Sequence, residues 1–365
     1  MLQSSPQIFV GLDVSKLNIN VALLRPNGTG IDEDRIPNTP EAVRSLVRRW
    51  ADPGSIRTCY EAGPTGYALY RELAALGVAC TVIAPSLTPR RPGERIKTDR
   101  RDAVKLARLF RAGELTAVRV PTPDEEAVRD LLRARGDLRE DILRARHRLS
   151  KFLLRHGRTY GDGSQWTARH RAWVDRQAFD QPAAARTLAH YRADLDTRLA
   201  ELALLDAELT RIAGAEPYAG PVARLSTLRG ISTLSALTLI VEIGDFGRFA
   251  RADDLAAFVG LVPSEHSSGE RRRLGSITKA GNAHARRVLV EAAWHARRRP
   301  NTGPALQKRL AGQPPEMLAI ATKAQTRLHA RYWSLVERRK PTTVAATAVA
   351  RELTGFCWAL MRLPA

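Results

Sequence analysis

Residues 7–24 read QIFVGLDVSKLNINVALL, and this stretch decides the fold of the first third of the chain. Residues 7–12 are an apolar run of the length of a buried strand. After Asp13 an apolar alternation resumes over residues 19–24, ending at the turn-forming Pro26, Asn27 and Gly28. The expectation is a strand pair whose first member ends on an acid. Outward from it, residues 41–50 have helical spacing with Val43, Leu46 and Val47 on one face, and residues 56–60 read as a strand ending at Glu61. A helix over 65–76, a strand over 80–83, a helix over 102–112 and a short strand over 117–120 follow. Alternating strands and helices predict a mixed sheet with helices packed on it.

Pro121 and Pro123 are too close together for a helix interior or a central strand, which places a boundary there. Residues 124–156 carry one apolar stripe amid dense Arg and acid, the pattern of a coiled coil or helix hairpin. After a break over 157–164, residues 183–212 supply a second helix to return antiparallel to the first. Past Pro217 and Pro221 the chain is apolar and small over 225–244, helical over 253–258, and rich in Gly, Ser and Arg over 259–282. Asn282 caps a helix reaching residue 299, and two further helices split by Pro341 fill residues 315–363. The expected fold class is therefore α/β plus all-α. Its divisions are residues 1–120, a helical arm over 121–217 and a mainly helical unit over 218–365.

A chain of 365 residues exceeds what one hydrophobic core organises, in agreement with that division. With 44% hydrophobic and 26% charged residues, neither wholesale disorder nor a fibrous repeat fits. Lys and Arg number 58 against 38 Asp and Glu, a formal net charge of +20, and only eight of the bases are Lys. A GC-rich genome explains Arg over Lys but not the net charge. The planar Arg fork grips phosphate at two points, so this balance implies a nucleic-acid partner. Cys59, Cys80 and Cys357 have no C-x-x-C spacing, so neither a disulfide framework nor a zinc site is expected. No secretory leader and no membrane span are expected either, which suits a reduced cytoplasm.

Two constellations carry chemistry. Asp13 and Glu61 each end a strand, and Asp99 and Asp102 are three apart at a helix start, so they share a face. Carboxylates from strand ends and a helix start repel unless a divalent cation sits among them, and hard oxygen ligands suit Mg2+ or Mn2+. The competing reading gives Asp99 and Asp102 to the helix dipole and Asp13 to a turn cap. The second constellation is GLVPSEHSSGERRRLGSITKAGNAHARR, residues 260–287. A serine hydroxyl there, with His266 beside it, stands among Arg271, Arg272, Arg273, Lys279, Arg286 and Arg287, a nucleic-acid-binding set. Such a serine can attack a phosphodiester whose charge the guanidinium groups stabilise. On composition alone the flexible turn with a solvated, phosphate-gripping face is the better reading of the loop. Residues 228–232, LRGIS, resemble half of a helix-hairpin-helix phosphate contact, with Ser232 where a second glycine is usual.

FVGLDVSK (9–16), YEAGPTGY (60–67), KTDRRDAVKLARL (97–109) and the run over 237–293 that holds the serine loop resemble the DEDD transposases of the insertion sequence 110 family, in order and over nearly the whole chain. The resemblance implies a ribonuclease H-like, RuvC-like N-terminal domain, a coiled-coil arm and a C-terminal transposase domain. It places the acidic quartet on Asp13, Glu61, Asp99 and Asp102 with Mg2+ (or Mn2+), and the reactive serine on Ser268, with Ser267 one residue away as the alternative. It further implies a covalent serine–DNA intermediate, double-stranded donor and target DNA, and a structured non-coding guide RNA from the element's own end. A homo-oligomer, dimer or tetramer, working at the nucleoid in a bacterial cytoplasm completes it. Arg229 and Ser232 depart from the family's frequent Pro and Gly.

The first functional expectation is thus a recombinase that excises and inserts its own element. A stand-alone, metal-dependent Holliday-junction resolvase is the alternative, needing the carboxylates but not the serine loop. FVGLDVSK also resembles the first phosphate loop of sugar-kinase-like ATPases, whose partner Asp-Gly-Gly loop is missing, and four-acid exonucleases start from Asp-x-Glu, unlike Asp13-Val14-Ser15. A catalytically dead nucleic-acid binder is compatible with every motif above.

Overall fold

The structure is a computed structural model that describes residues 7–25, 30–50, 52–89, 99–265 and 273–364. Contacts group the chain into two compact units, Met1–Pro121 and Thr122–Ala365.

In the first unit, β1 (Ile8–Val14) pairs antiparallel with β2 (Asn18–Leu24), which pairs antiparallel with β3 (Ile31–Pro37). On its other side β1 pairs parallel with β4 (Ile56–Glu61), and β4 pairs parallel with β5 (Ala79–Ile83), giving the order β3-β2-β1-β4-β5. Helix α1 (Pro40–Arg48) starts from the Thr39 cap, whose hydroxyl accepts from the Ala42 amide at 3.3 Å. It packs with α2 (Ala68–Ala75) on the face that Val10, Leu12, Ile56 and Tyr60 present. Helix α3 (Asp99–Arg111) covers the opposite face, over Phe9, Ala22 and Cys59.

Sequence pattern and structure differ here in three places. β3 is a strand that the pattern misses, because IDEDRIP is an edge strand with only Ile36 buried and its acids paired outward. The expected strand over 117–120 makes only an isolated bridge, Ile83 to Ala117, and the Val118-to-Val82 hydrogen bond. The helix expected from residue 102 includes the first acid, Asp99.

The second unit opens with α4 (Pro123–Arg155), started by a capping box: the Thr122 hydroxyl accepts from the Glu125 amide, and the Glu125 carboxylate accepts from the Thr122 amide. α5 (Ala168–Asp175) lies between it and α6 (Pro182–Ala213). Ion pairs Arg135–Asp206, Arg198–Asp141 and Arg148–Asp194 run down α4 while climbing α6, so the two are antiparallel. Then come α7 (Ala219–Ser226), α8 (Thr233–Ile243), α9 (Ala252–Phe258), the hairpin β6 (Pro263–Glu265) and β7 (Leu274–Ile277), and α10 (Ala283–Ala293). Helices α11 (Pro304–Leu310), α12 (Pro315–Glu337) and α13 (Thr342–Met361) complete the chain. α13 buries Ala345, Ala346, Val349, Ala350, Leu353, Cys357 and Leu360 at the middle of this helical core. Among the described residues, no helix is long and apolar enough to cross a membrane.

Candidate functional site

The carboxylates are positioned by how α3 crosses the sheet. Phe110, near the end of α3, meets Phe9 edge-on at 5.6 Å between centroids, and Ala103 and Ala107 press on Gly11. Side chains alternate along a strand, so Asp13 follows Phe9 and Gly11 on the α3 face. Cys59 also faces α3, with its Sγ 3.8 Å from the Leu106 carbonyl oxygen, so Glu61 shares that face. One step past the Leu12–Tyr60 pair, Asp13 and Glu61 therefore end adjacent parallel strands. On α3 the buried stripe is Ala103, Leu106 and Ala107, and Asp99 and Asp102 extend it by one turn. The topology thus brings carboxylates from three separated segments to one end of one face. Asp13 and Asp102 are half-buried, Glu61 and Asp99 exposed.

Two anchors that the sequence pattern did not single out hold this corner. The Thr88 hydroxyl, after β5, donates to Glu61 Oε1 at 2.9 Å. Arg100 grips both Glu33 oxygens with its fork, tying the first turn of α3 to β3, and this hydrogen-bonded charge holds the Glu33 carboxyl below the usual carboxylate range. An Arg flanked by acids in TDRRD was the only signal. Burial raises the thiols behind the corner, Cys80 to about 11 and Cys59 further, so neither is a thiolate ligand or nucleophile near neutral pH.

Ser267 and Ser268, with His266, Arg271 and Arg272, lie outside the described residues. The flanks of that loop are β6 and β7, paired antiparallel through Pro263–Ile277 and Glu265–Leu274. The base of the hairpin is an interlock. Gly260 and Gly281 both have positive φ, and a Cβ on either would overlap a carbonyl oxygen, that of Ala280 or Phe258. Arg286 Nη1 donates to the Val259 carbonyl at 2.9 Å and to that of Ala280 at 3.3 Å, bridging both flanks from α10. Lys279 and Arg273 are exposed. Arg287, also exposed, lies 4.0 Å from Glu140 and lines a cavity of about 240 Å³ with Arg133, Arg135, Arg139 and His284. Arg229 donates to the carbonyls of Arg298 and Arg299, and so caps the helical turn that follows α10 instead of presenting a phosphate contact.

Beneath the hairpin lies a buried acid in an otherwise apolar helix, also not singled out from the sequence. Glu242 is paired with Arg133 at 3.0 and 3.1 Å and accepts from Asn282 Nδ2 at 2.7 Å, while Asn282 Oδ1 caps α10. Burial alone would raise this carboxyl. Arg133's hydrogen bond, then Asn282 and the charges of Arg133 and Arg129, outweigh burial and hold it below its ordinary value.

The sequence is similar to those of known proteins. A family model of the DEDD transposases of the IS110 type matches residues 10–157, and one described as the transposase IS116/IS110/IS902 family matches residues 222–309. The chain is 44% identical to the y4qE protein of Sinorhizobium fredii over 364 residues, covering 98% of this chain and 89% of that one. It is 35% identical to the transposase for insertion sequence element IS1533 of Leptospira borgpetersenii over 344 residues, 92% of this chain and 98% of the relative. The chain belongs to the IS110/IS116/IS902 family of transposases.

An IS110-family transposase cleaves and rejoins DNA, and DEDD transposases use divalent metal ions. Four carboxylates with no thiol or imidazole among them are the donor set of a hard cation. Among the described residues, however, no three Asp, Glu, His or Cys side chains stand close enough together to hold a metal ion. The donor chemistry and the shared face fit such an ion, while the side-chain distances do not close around one.

Proposed function

We propose that this transposase excises and inserts an insertion-sequence element, using Mg2+ (or Mn2+) held by Asp13, Glu61, Asp99 and Asp102 and a serine nucleophile, Ser268. The observation that carries the reading is the convergence of acids from β1, β4 and α3 on one end of one sheet face, in a chain of this family. The mixed five-stranded sheet supports a ribonuclease H-like first domain over 1–120. The antiparallel pair α4 and α6 supports a coiled-coil arm over 121–217, ahead of a transposase domain over 218–365.

In the serine step the Oγ–P bond forms as the P–O bond to the leaving strand breaks, and the serine proton passes to the departing oxygen. One phosphoester replaces another, so strands are rejoined without ATP. When bound, the metal would supply charge neutralisation at a phosphate. The chain's own carboxylates hold it, and the exposed bases around the hairpin, Arg273, Lys279 and Arg287, hold the backbone. The net charge of +20 suits both double-stranded DNA and a structured guide RNA encoded by the element, read by a dimer or tetramer at the bacterial nucleoid.

The test is to quench the reaction in denaturant and examine the protein by mass spectrometry. A DNA adduct on Ser268 that vanishes in Ser268→Ala is the expected result. Cleavage that persists in that variant with no adduct hands the chain to the resolvase alternative.

A further inference from the structure

Between α4 and α6 the chain reads HGRTYGDGSQWTARHRAWVDRQAFDQ over 156–181, a stretch in which aromatic and basic residues alternate. Its rings form a cluster of their own at the tip of the helix pair. His170 sits at the centre, with Tyr160 and Trp166 edge-on at 4.8 and 4.9 Å and Trp173 stacked at 5.6 Å. Trp166 and Trp173 pack on one side against the core of the helix pair, around Leu149, Phe152 and Val174. The cluster walls a cavity of about 380 Å³, within the range of small-molecule sites, and leaves Leu154, at its rim, 49% exposed.

Beside the aliphatic Leu153, Leu154 and Val174, the rings of Tyr160, Trp166 and Trp173 line it, Ser150, Thr159 and Gln165 offer hydrogen bonds, and His147, Lys151 and Arg158 offer positive charge. No acid lines it among the described residues. His170 is 3% exposed, yet its Nδ1 has no hydrogen-bond partner, which is costly for a buried polar atom. Trp166 is held at a φ of 64°, a conformation that non-glycine residues rarely adopt, with the Arg146 guanidinium 5.3 Å over its ring.

We propose that this cavity receives one unpaired base of a nucleic-acid strand, stacked on the Tyr160–Trp166–Trp173 wall, with its edge hydrogen-bonded to His170 and Gln165 and its phosphate against Lys151 and Arg158. Stacking on aromatic rings beside basic side chains is how proteins hold single-stranded bases, and a bulged or flipped base has already lost its pairing partner. The inference rests on the reading above only for the presence of a nucleic acid. RNA and DNA share the recognised chemistry.

The experiment uses the full chain and a hairpin oligonucleotide with a single bulged 2-aminopurine, in RNA and DNA forms, against the same hairpins fully paired. Wild type quenches the bulged probe and prefers it to the paired one; the form quenched more strongly names the source. Trp166→Leu weakens the bulged probe roughly 5- to 150-fold, Trp166→Phe restores it, and the paired probe is unchanged in both. Gln165→Ala, at an exposed position, keeps the fold and still lowers the preference for the bulge. Equal affinity for bulged and paired probes without quenching overturns the proposal. Shielding of the indoles by self-association in the absence of nucleic acid overturns it too. Bulge preference without a serine adduct sinks the recombinase reading and leaves the pocket standing, and an adduct without bulge preference does the reverse.

Discussion

Gly11 on β1 lies directly under Ala103 on α3: a Cβ on Gly11 would overlap the Ala103 carbonyl oxygen and stand 2.5 Å from the Ala107 amide nitrogen. Both are backbone atoms of one helix, so neither can swing aside. This contact sets the height of α3 over the sheet and hence where Asp102, the neighbour of Ala103, stands relative to Asp13. Gly11→Ala is expected to destabilise the first unit by about 3 kcal/mol, the upper range for overpacking, and to lower recombination even where the fold survives. Urea unfolding of the variant, set beside its activity at low temperature, measures both. An unchanged midpoint would refute the account of the contact.

Asp13 is half-buried at the end of its strand, so Asp13→Asn, which keeps shape and removes charge, is expected to abolish recombination while shifting thermal unfolding by at most a few degrees. Asp102→Asn behaves the same way, and chelation by EDTA reproduces both in the unaltered chain. Full activity in EDTA would remove the metal from the proposal.

The Glu242–Arg133 pair is structural, with a pH signature of its own. The Glu242 side chain is 1% exposed and that of Arg133 41%, so Arg133→Ala leaves a buried carboxylate with Asn282 and a more distant Arg129. Breaking such a pair costs 3–5 kcal/mol when both partners are buried; with Arg133 partly in water we expect about 2 kcal/mol. The folded carboxyl lies below its ordinary value. The pair's contribution is therefore complete above the unfolded pKa, about 4.3, and disappears as pH falls through the lower folded value. The stability gap between wild type and Glu242→Gln should be constant from pH 7 to about pH 5 and shrink below it. A gap that grows on acidification contradicts the pairing.

How much of this was legible in the sequence depended on burial. β1, β2, β4 and β5 announce themselves because one or both faces are apolar, and α12 and α13 are bounded by Pro315 and Pro341. β3 was silent because it is a strand by virtue of its ladder with β2, while its acids Asp32, Glu33 and Asp34 pair with Arg25, Arg100 and Arg49, which no local pattern connects to them. β6 and β7 are too short to show a period. The four acids were legible as strand-end and helix-start residues and through the family motifs. Their common face depends on the crossing of α3 at Gly11, which is tertiary information. Arg286 illustrates the limit in the other direction. Composition groups it with the nucleic-acid-binding bases, and only the fold shows its guanidinium bonded to backbone.

That difference between neighbours yields the last prediction. Each Lys or Arg that neutralises a phosphate contributes about one unit to the slope of log affinity against log salt. Lys279 and Arg287 are exposed, and the 4.0 Å pair of Arg287 with Glu140 is too weak in water to withhold it from a phosphate. Lys279→Gln and Arg287→Gln should therefore each lower the slope by about one and weaken binding to all sequences alike. Arg286 spends its guanidinium on the carbonyls of Val259 and Ala280, on either side of the serine hairpin. Arg286→Lys loses the fork that reaches both. Its expected signature is an unchanged salt slope, faster amide exchange around Gly260 and Gly281, and recombination reduced at least tenfold because the hairpin that carries the serine is no longer held. The measurement is a set of DNA-binding titrations across salt concentrations with hydrogen exchange on the same variants. If Arg286→Lys lowered the slope as Lys279→Gln does, with exchange unaltered, Arg286 would be a phosphate contact and the clamp would be wrong.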